Sequence, residues 1–441
     1  MRTWFAGAAW FAGGVARDVR MTVEDGRFTR VEVGVAAAPG DARLPGLVLP
    51  GFANAHSHAF HRALRGRTHD GGSTFWTWRE RMYAVAARLD PDTYLALARA
   101  TFAEMALAGV SSVGEFHYLH HAPGGAPYAD PHAMGRALIE AARQAGIRLT
   151  LLDTCYLAGG LTAHGHVPLA PEQLRFSDGS AAAWKQRVDA LGGLPPHARA
   201  GVAIHSVRAV PRADLPVVVQ AARSRPLHVH LSEQPAENRA CLAAYGLTPT
   251  ALLDDAGALG PGTTAVHATH LSAADIALLG ASGTTACLCP TTERDLADGI
   301  GPARRLLDAG SPLALGSDQH AVVDLLEEAR ALEMDERLAS RQRGRLPVAA
   351  LVEALTSAGQ RSIGWDDAGR IEVGARADLV ALRLDTVRTA GTAPEQAILA
   401  ATAADVDSVL VDGAVVVDGG RHVLGDVAAL LAEAIAPLWA A

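Results

Sequence analysis

Lysine is almost absent from this chain: Lys185 is the only one in 441 residues, and basic charge is otherwise carried by arginine. That excludes a phosphate-binding P-loop, which needs Gly-Lys, because Lys185 follows Trp184. A dinuclear hydrolase centre built on a bridging lysine would have to use the same residue, whose setting "AAAWKQRV" reads as a helix. Cysteine is scarce too. Cys155, Cys241, Cys287 and Cys289 fit neither a disulfide framework nor a Cys-x-x-Cys zinc site. Cys287 and Cys289 lie in an apolar run and read as buried free thiols, which implies a reducing, cytoplasmic setting. A net charge of −8 argues against a nucleic-acid or membrane-surface partner. No window has the length or purity of a transmembrane helix. The opening "MRTWFAGAAWFAGGVARDVR" is broken by glycines and tryptophans and continues as alternating strands, so it does not read as a secretory leader. "GPGTTA" at Gly260 formally resembles a dinucleotide fingerprint, but it contains Pro261 and precedes a strand. No G-x-S-x-G elbow is present.

What is there suits a large α/β enzyme. Hydrophobic residues make up 49% and charged residues 20%, and the length accommodates a domain of roughly 250–330 residues plus an accessory module. Short strands with turn signals at Gly13-Gly14, Asp25-Gly26 and Pro39-Gly40 fill the first forty or so residues, and the texture returns in "GRIEVGARADLVALRL" and "VDSVLVDGAVVVDGGRHV". The two ends are expected to pair into one composite β module, residues 1–47 plus 369–441, with a terminal helix. Between them eight apolar runs alternate with helical stretches: "GLVLPGFANAHSH", "VSSVGEF", "IRLTLLDTC", "AGVAIHS", "PLHVHLS", "TTAVHAT", "TTACLCP" and "PLALGSD". Eight is the number a parallel (β/α)₈ TIM barrel requires, here over 48–368. Asp90-Pro91 marks a helix start, Tyr94, Ala98, Phe102 and Met105 one face of it, and Gly109 its end.

The polar residues collect where a barrel does chemistry, at the C-terminal ends of the strands. "NAHSHAFH" ends the first run. Alternate side chains of a strand share a face, so His56 and His58 aim at one point while Ser57 turns away. A lone His-x-His reads as readily as two solvated loop residues. The second run, however, leads to Glu115, His117 and Tyr118, the fourth to His205 and Arg208, the fifth to His230 and Glu233, the sixth to His267 and His270, and the eighth to Asp318. Three imidazoles (His56, His58, His230) and the Asp318 carboxylate suit one zinc or similar divalent ion with a water at an open position. Such an ion makes hydroxide available near neutral pH. Glu233 is placed to carry the proton to a leaving group. His267 holds the water or polarises the substrate, and Asp318 acts as ligand, base or both.

This set resembles the amidohydrolase superfamily, and the resemblance spans nearly the whole chain, including the module built from both ends. It implies a TIM barrel with a small composite β-sandwich, one divalent ion per subunit and a homodimer. The His-x-x-Glu of "HVHLSE" and the near absence of lysine are similar to the mononuclear aminohydrolase branch. Within it, "FWTWRERMY", "EFHYLHH", "HSVRAV" and "LCPTTERDLADGI" resemble the formimidoylglutamate deiminases of histidine degradation. That likeness implies hydrolysis of N-formimino-L-glutamate to N-formyl-L-glutamate and ammonia, a linear amidine at the metal and two carboxylates further out. Arginine forks match carboxylates bidentately. By motif position the resemblance implies His61, Arg79, Tyr118, His205 and Arg208 as substrate contacts, with Arg81 the competitor for Arg79. His61 departs from the glutamine expected there. An aminohydrolase acting on a purine, pyrimidine or triazine ring would use the same metal set with aromatic or amide contacts in place of the arginines. A non-catalytic barrel protein would be expected to lack ligands, and none is missing.

Overall fold

The computed structural model describes residues 1–11, 13–69 and 75–440, with Phe75 and Trp76 described by their backbone alone, so the first two side chains of "FWTWRERMY" lie outside the described residues. The eight apolar runs form eight strands: β1 (Phe52–Ser57), β2 (Val110–His117), β3 (Arg148–Cys155), β4 (Ala198–Ile204), β5 (Leu227–Leu231), β6 (Thr263–His267), β7 (Thr285–Leu288) and β8 (Leu313–Leu315). They are parallel and hydrogen-bonded in chain order. Every residue of β2 and β3 is buried, which is why these runs are apolar throughout and do not alternate. The cylinder closes where β1 meets the chain after β8. A parallel bridge joins Ser57 to Asp318; Asp318 N–H donates to the His56 carbonyl at 3.0 Å and His58 N–H to the Asp318 carbonyl at 3.1 Å.

The first run proves to be two strands. Ala42–Pro50 belongs to a second sheet and β1 to the barrel. The chain crosses between them at Gly51, where a Cβ would stand 2.5 Å from Ser111 Oγ and 2.6 Å from Asp378 Cβ. That second sheet has eight strands of mixed direction drawn from both chain ends. They are joined by the antiparallel pairing of Ala42–Pro50 with Leu379–Leu382. One of its hairpins turns at Asp25-Gly26, both at positive φ (48° and 77°), as a two-residue hairpin loop requires. Trp4, Met21, Phe28, Leu379 and Leu410 pack its buried face.

The helix Pro91–Leu107 starts as its sequence implies: Asp90 accepts from Thr93 N–H in a capping box, and Tyr94, Ala98, Phe102 and Met105 are buried. Gly109 follows at φ 92°. The C-terminal helix Val427–Ile435 packs against it, and beyond it the Trp439 indole N–H donates to the Ala63 carbonyl at 2.9 Å. Lys185 sits on the helix Ala181–Ala190, ion-paired to Asp189 one turn on.

Candidate metal centre and active site

Five buried side chains meet at the C-terminal mouth of the barrel. His56 and His58 come from the end of β1, His230 from β5, His267 from β6 and Asp318 from just after β8; none is more than 7% exposed. His56 Nε2 lies 3.1 Å from His230 Nε2 and 3.2 Å from Asp318 Oδ1. His58 Nε2 is 3.4 Å from Asp318 Oδ1. His267 Nε2 is 3.8 Å from both Asp318 Oδ2 and Glu233 Oε1. Donor atoms of His56, His230, His267 and Asp318 all lie within 4.8 Å of one another, as do those of His58, His61 and Asp318.

The backbone is held in an uncommon shape to achieve this. Ser232, His267, Ala268, Asp318 and His320 have φ between 40° and 67°. Each left-handed non-glycine residue costs about 1–3 kcal/mol and persists where its surroundings over-determine it. Gly316 allows the approach of the last strand: a Cβ there would stand 2.7 Å from His56 Cβ.

The donor set fits a divalent cation. The Phe116 carbonyl, which can only accept, lies 3.0 Å from His58 Nδ1, so that nitrogen carries the proton and Nε2 presents its lone pair. Burial holds the imidazoles neutral, pushing His58 down to about 3 and His56 and His230 below their ordinary values as well. Burial alone would raise Asp318, but the His56 hydrogen bond and the surrounding imidazoles leave it well below the usual carboxylate range. The result is a set of ring lone pairs and one carboxylate crowded on a single point, the arrangement that three nitrogens and an oxygen make around zinc-like ions. His267 differs. Burial opposes its charge, yet Glu233, Glu293 and Asp318 outweigh that and raise it to about 10.

A cavity of about 210 Å³ opens onto the cluster, and its walls include His58, His61, Arg79, Tyr118, His205, Arg208, His230, Glu233, His267 and Asp318. His61 Nε2 is 3.0 Å from Tyr118 Oη. Arg79 reaches the wall, its guanidinium 5.7 Å from the Tyr83 ring centre, whereas Arg81 donates to the Arg67 carbonyl and is not part of the wall. Arg208 Nη2 donates to Glu233 Oε2 at 3.1 Å, and its Nε lies 2.9 Å from Glu237 Oε2. His205 Nδ1 is 3.2 Å from Ser206 Oγ, and its ring lies 4.4 Å from that of Tyr156. Two strand-end histidines do not join the wall: His117 packs between Tyr94 and His120, and His270 Nε2 donates to the Asp298 carbonyl at 2.7 Å.

Some contributors were not singled out from sequence. Glu293, inside "LCPTTERDLADGI", places Oε1 3.4 Å from His267 Nδ1 while accepting from Cys289 N–H at 2.9 Å, which orients that ring. Gln173 donates to the hydroxyls of Tyr83 (3.0 Å) and Tyr156 (2.8 Å), fixing two aromatic walls. Glu293 lay within a quoted motif; Gln173 carried no signal, because its partners are distant in sequence.

Comparison with known proteins identifies the family. Residues 47–416 match the model of the Amidohydrolase family, and residues 1–44 match that of the N-terminal domain of formimidoylglutamate deiminase HutF. The chain is 38% identical over 437 residues to a formimidoylglutamate deiminase of Pseudomonas aeruginosa, covering 95% of each chain. A crystal structure of an amidohydrolase from Brucella melitensis superposes with a TM-score of 0.93 at 32% identity, covering 100% of both chains. An adenosine deaminase from Xanthomonas campestris, solved with bound zinc, superposes with a TM-score of 0.81 at 26% identity, covering 98% of this chain and 96% of that one. The chain belongs to the amidohydrolase family, and its N-terminal domain is the one that marks the formimidoylglutamate deiminases.

Proposed function

We propose that this chain is a hydrolase acting on a linear amidine: it converts N-formimino-L-glutamate and water to N-formyl-L-glutamate and ammonia, a step of histidine degradation. The observation that carries this is the 38% identity to a formimidoylglutamate deiminase over 95% of both chains, joined to a cavity in which two arginines face the metal-fitting cluster. His56, His58, His230 and Asp318 would hold one divalent ion. Zinc is the proposed ion, supported by the nitrogen-rich donor set and by the zinc in the adenosine deaminase relative. Bound there, it would lower the pKa of a water toward neutrality and polarise the amidine.

The chain's own residues do the rest. Glu233, beside His267 and Asp318, takes a proton from the attacking water and returns it to the amidine nitrogen, so that ammonia leaves in place of an amide anion. His267, oriented by Glu293, donates toward the reacting centre, and Asp318 serves as ligand and as a second proton acceptor. Arg79 and Arg208 take the substrate carboxylates, while His61, Tyr118 and His205 line the path between carboxylates and amidine. Tyr118 fixes His61 in the place of the expected glutamine, keeping a donor and an acceptor at that point.

The remaining expectations complete the proposal. The proposed division is 1–47 plus 369–441 around a barrel of 48–368; the module strand Ala42–Pro50 carries the first boundary on to Gly51, and the chain returns to that sheet at Leu379–Leu382. Four buried, unpaired cysteines suit a reducing cytoplasm, and among the described residues no helix is long and apolar enough to cross a membrane. The partners are a small dicarboxylate substrate and a second copy of the chain; light scattering on the pure protein reads the dimer directly. Product analysis by NMR tests the reaction. N-Formyl-L-glutamate with one equivalent of ammonia is expected, whereas glutamate and formamide would mean that the other C–N bond is cut.

A further inference from the structure

Beneath the metal-fitting cluster runs a chain of hydrogen bonds that none of the roles above uses. Ser57 is the one residue between His56 and His58, and its hydroxyl turns away from them to meet Glu115 Oε2 at 2.5 Å. The other oxygen of Glu115 accepts from Ala59 N–H at 2.6 Å and lies 3.5 Å from the Tyr94 hydroxyl. On its far side Ser57 Oγ is 3.2 Å from His320 Nε2, and His320 Nδ1 is 2.9 Å from Ser317 Oγ. Asn54 closes the run, donating from Nδ2 to Ser317 Oγ at 2.6 Å and accepting Ser317 N–H on Oδ1 at 2.9 Å. Asn54, Ser57, Glu115, Ser317 and His320 are each 0% exposed.

Donor and acceptor counting gives the chain one direction. Ser57 donates to Glu115 Oε2, so its oxygen accepts from His320 Nε2–H; the ring then accepts at Nδ1 from the Ser317 hydroxyl, whose oxygen takes the Asn54 Nδ2 donor. Each member is satisfied in turn, and such a run stiffens as a unit. It ties the segment of β1 that bears His56 and His58 to the segment after β8 that bears Asp318, and it spans the left-handed backbone at Asp318 and His320.

We propose that Glu115 and His320 are positioning residues of the metal centre. Acting through Ser57 and Ser317, they fix the two ligand-bearing segments in register so that their donors converge on one point. This rests on the reading that the cluster holds a divalent ion. It differs from an ordinary buried network in that its loss should loosen the ion more than the fold.

The test is zinc affinity of the full-length chain, by competition with a chromophoric chelator, together with the visible spectrum of the Co²⁺-loaded protein. The variants are Ser57→Ala, Glu115→Gln and the double substitution. Ser362→Ala is the control: it removes another buried hydroxyl, one bonded at 2.7 Å to the Gly359 carbonyl and outside the hydrogen-bond chain above. Each single variant should weaken zinc binding roughly 10- to 100-fold, as loss of a partner behind a ligand does, and should shift the Co²⁺ bands. The double should cost no more than the worse single, because both cut one chain. Ser362→Ala should leave affinity and spectrum unchanged. Wild-type affinity in both single variants, with only the melting temperature of the metal-free protein lowered, would overturn the proposal by showing a scaffold role. If Glu115→Gln does not fold, Ser57→Ala decides alone. Wild type binding one ion while the variants are unaffected would sink this proposal only; wild type binding none would sink the metal reading as well.

Discussion

The two ends of the barrel bury comparable polar chemistry and treat it differently. At the bottom, Arg148 is 1% exposed and its charge is met on the spot. Its guanidinium pairs with Asp378, itself fully buried, and donates at 2.9 Å to Ser112 Oγ and at 3.1 Å to Asp412 Oδ1. At the top, the imidazoles of His56, His58 and His230 are crowded with Asp318, whose close ion-pair partners among the described residues are histidine rings. A buried charge with its own counter-charge is a structural joint. Buried lone pairs aimed at one point make a receptor for a cation. The contrast separates function from scaffold here better than burial or residue type does, since both ends are buried and both are polar.

Substitutions at the two ends should therefore fail in different ways. At the top, His230→Ala should remove both bound metal and turnover while leaving a folded chain; metal analysis beside an ammonia assay reads both, and retained turnover would take His230 out of the ligand set. Glu233→Gln should keep the metal and lower turnover by about 10²–10⁴-fold, the usual contribution of a positioned proton carrier. At the bottom, Arg148→Ala should cost about 3–5 kcal/mol of stability, because it leaves the buried Asp378 without its counter-charge, and should leave metal content per folded chain unchanged. Denaturant unfolding with metal analysis checks that pair of outcomes.

Acid probes a third buried group, and the sign is fixed. Burial would raise Asp153, but Arg187, bonded to it at 2.7 and 2.9 Å, outweighs burial and holds it down to about 2. A depressed carboxylate adds stability that is fully present above its ordinary pKa near 4 and is lost as pH falls toward 2. Melting temperatures between pH 6 and pH 2 should drop through that window, and Arg187→Met should flatten the drop. The mildest effect is expected at the cavity wall. Arg208→Ala should raise KM for the dicarboxylate by about 10- to 100-fold, the worth of a hydrogen bond to a charged group. Part of the effect should appear in kcat, because Arg208 also touches Glu233; an unchanged KM would place the carboxylates elsewhere.

Much of this was legible in the chain itself. Six of the eight barrel strands lie inside the apolar runs, and β2 and β4 overrun theirs by one and two residues, because strands buried on both faces must be largely apolar. His56, His58, His230, His267 and Asp318 stood out because each ends such a run. The split of the first run at Gly51 was not legible, since "GLVLPGF" is apolar on both sides of the crossing and only the contact with Ser111 and Asp378 demands the glycine. Nor could strand-end position alone separate His267, which faces the cluster, from His117, which packs outside it against Tyr94. The supports were least visible. Ser57 meets Glu115 across 58 residues of sequence and Asn54 meets Ser317 across 263, and no local pattern records pairings at that distance.

The central claim is that the cation receptor at the top of the barrel serves a linear, carboxylate-bearing amidine. Ammonia release by the zinc-loaded protein tests it most directly, with N-formimino-L-glutamate, N-formimino-L-aspartate, guanine, cytosine and adenosine as the panel. Fast release from N-formimino-L-glutamate, and none from the rings, is the expected result. Release from a ring substrate alone would contradict it, leaving the metal-fitting cluster in place but taking Arg79 and Arg208 out of substrate recognition.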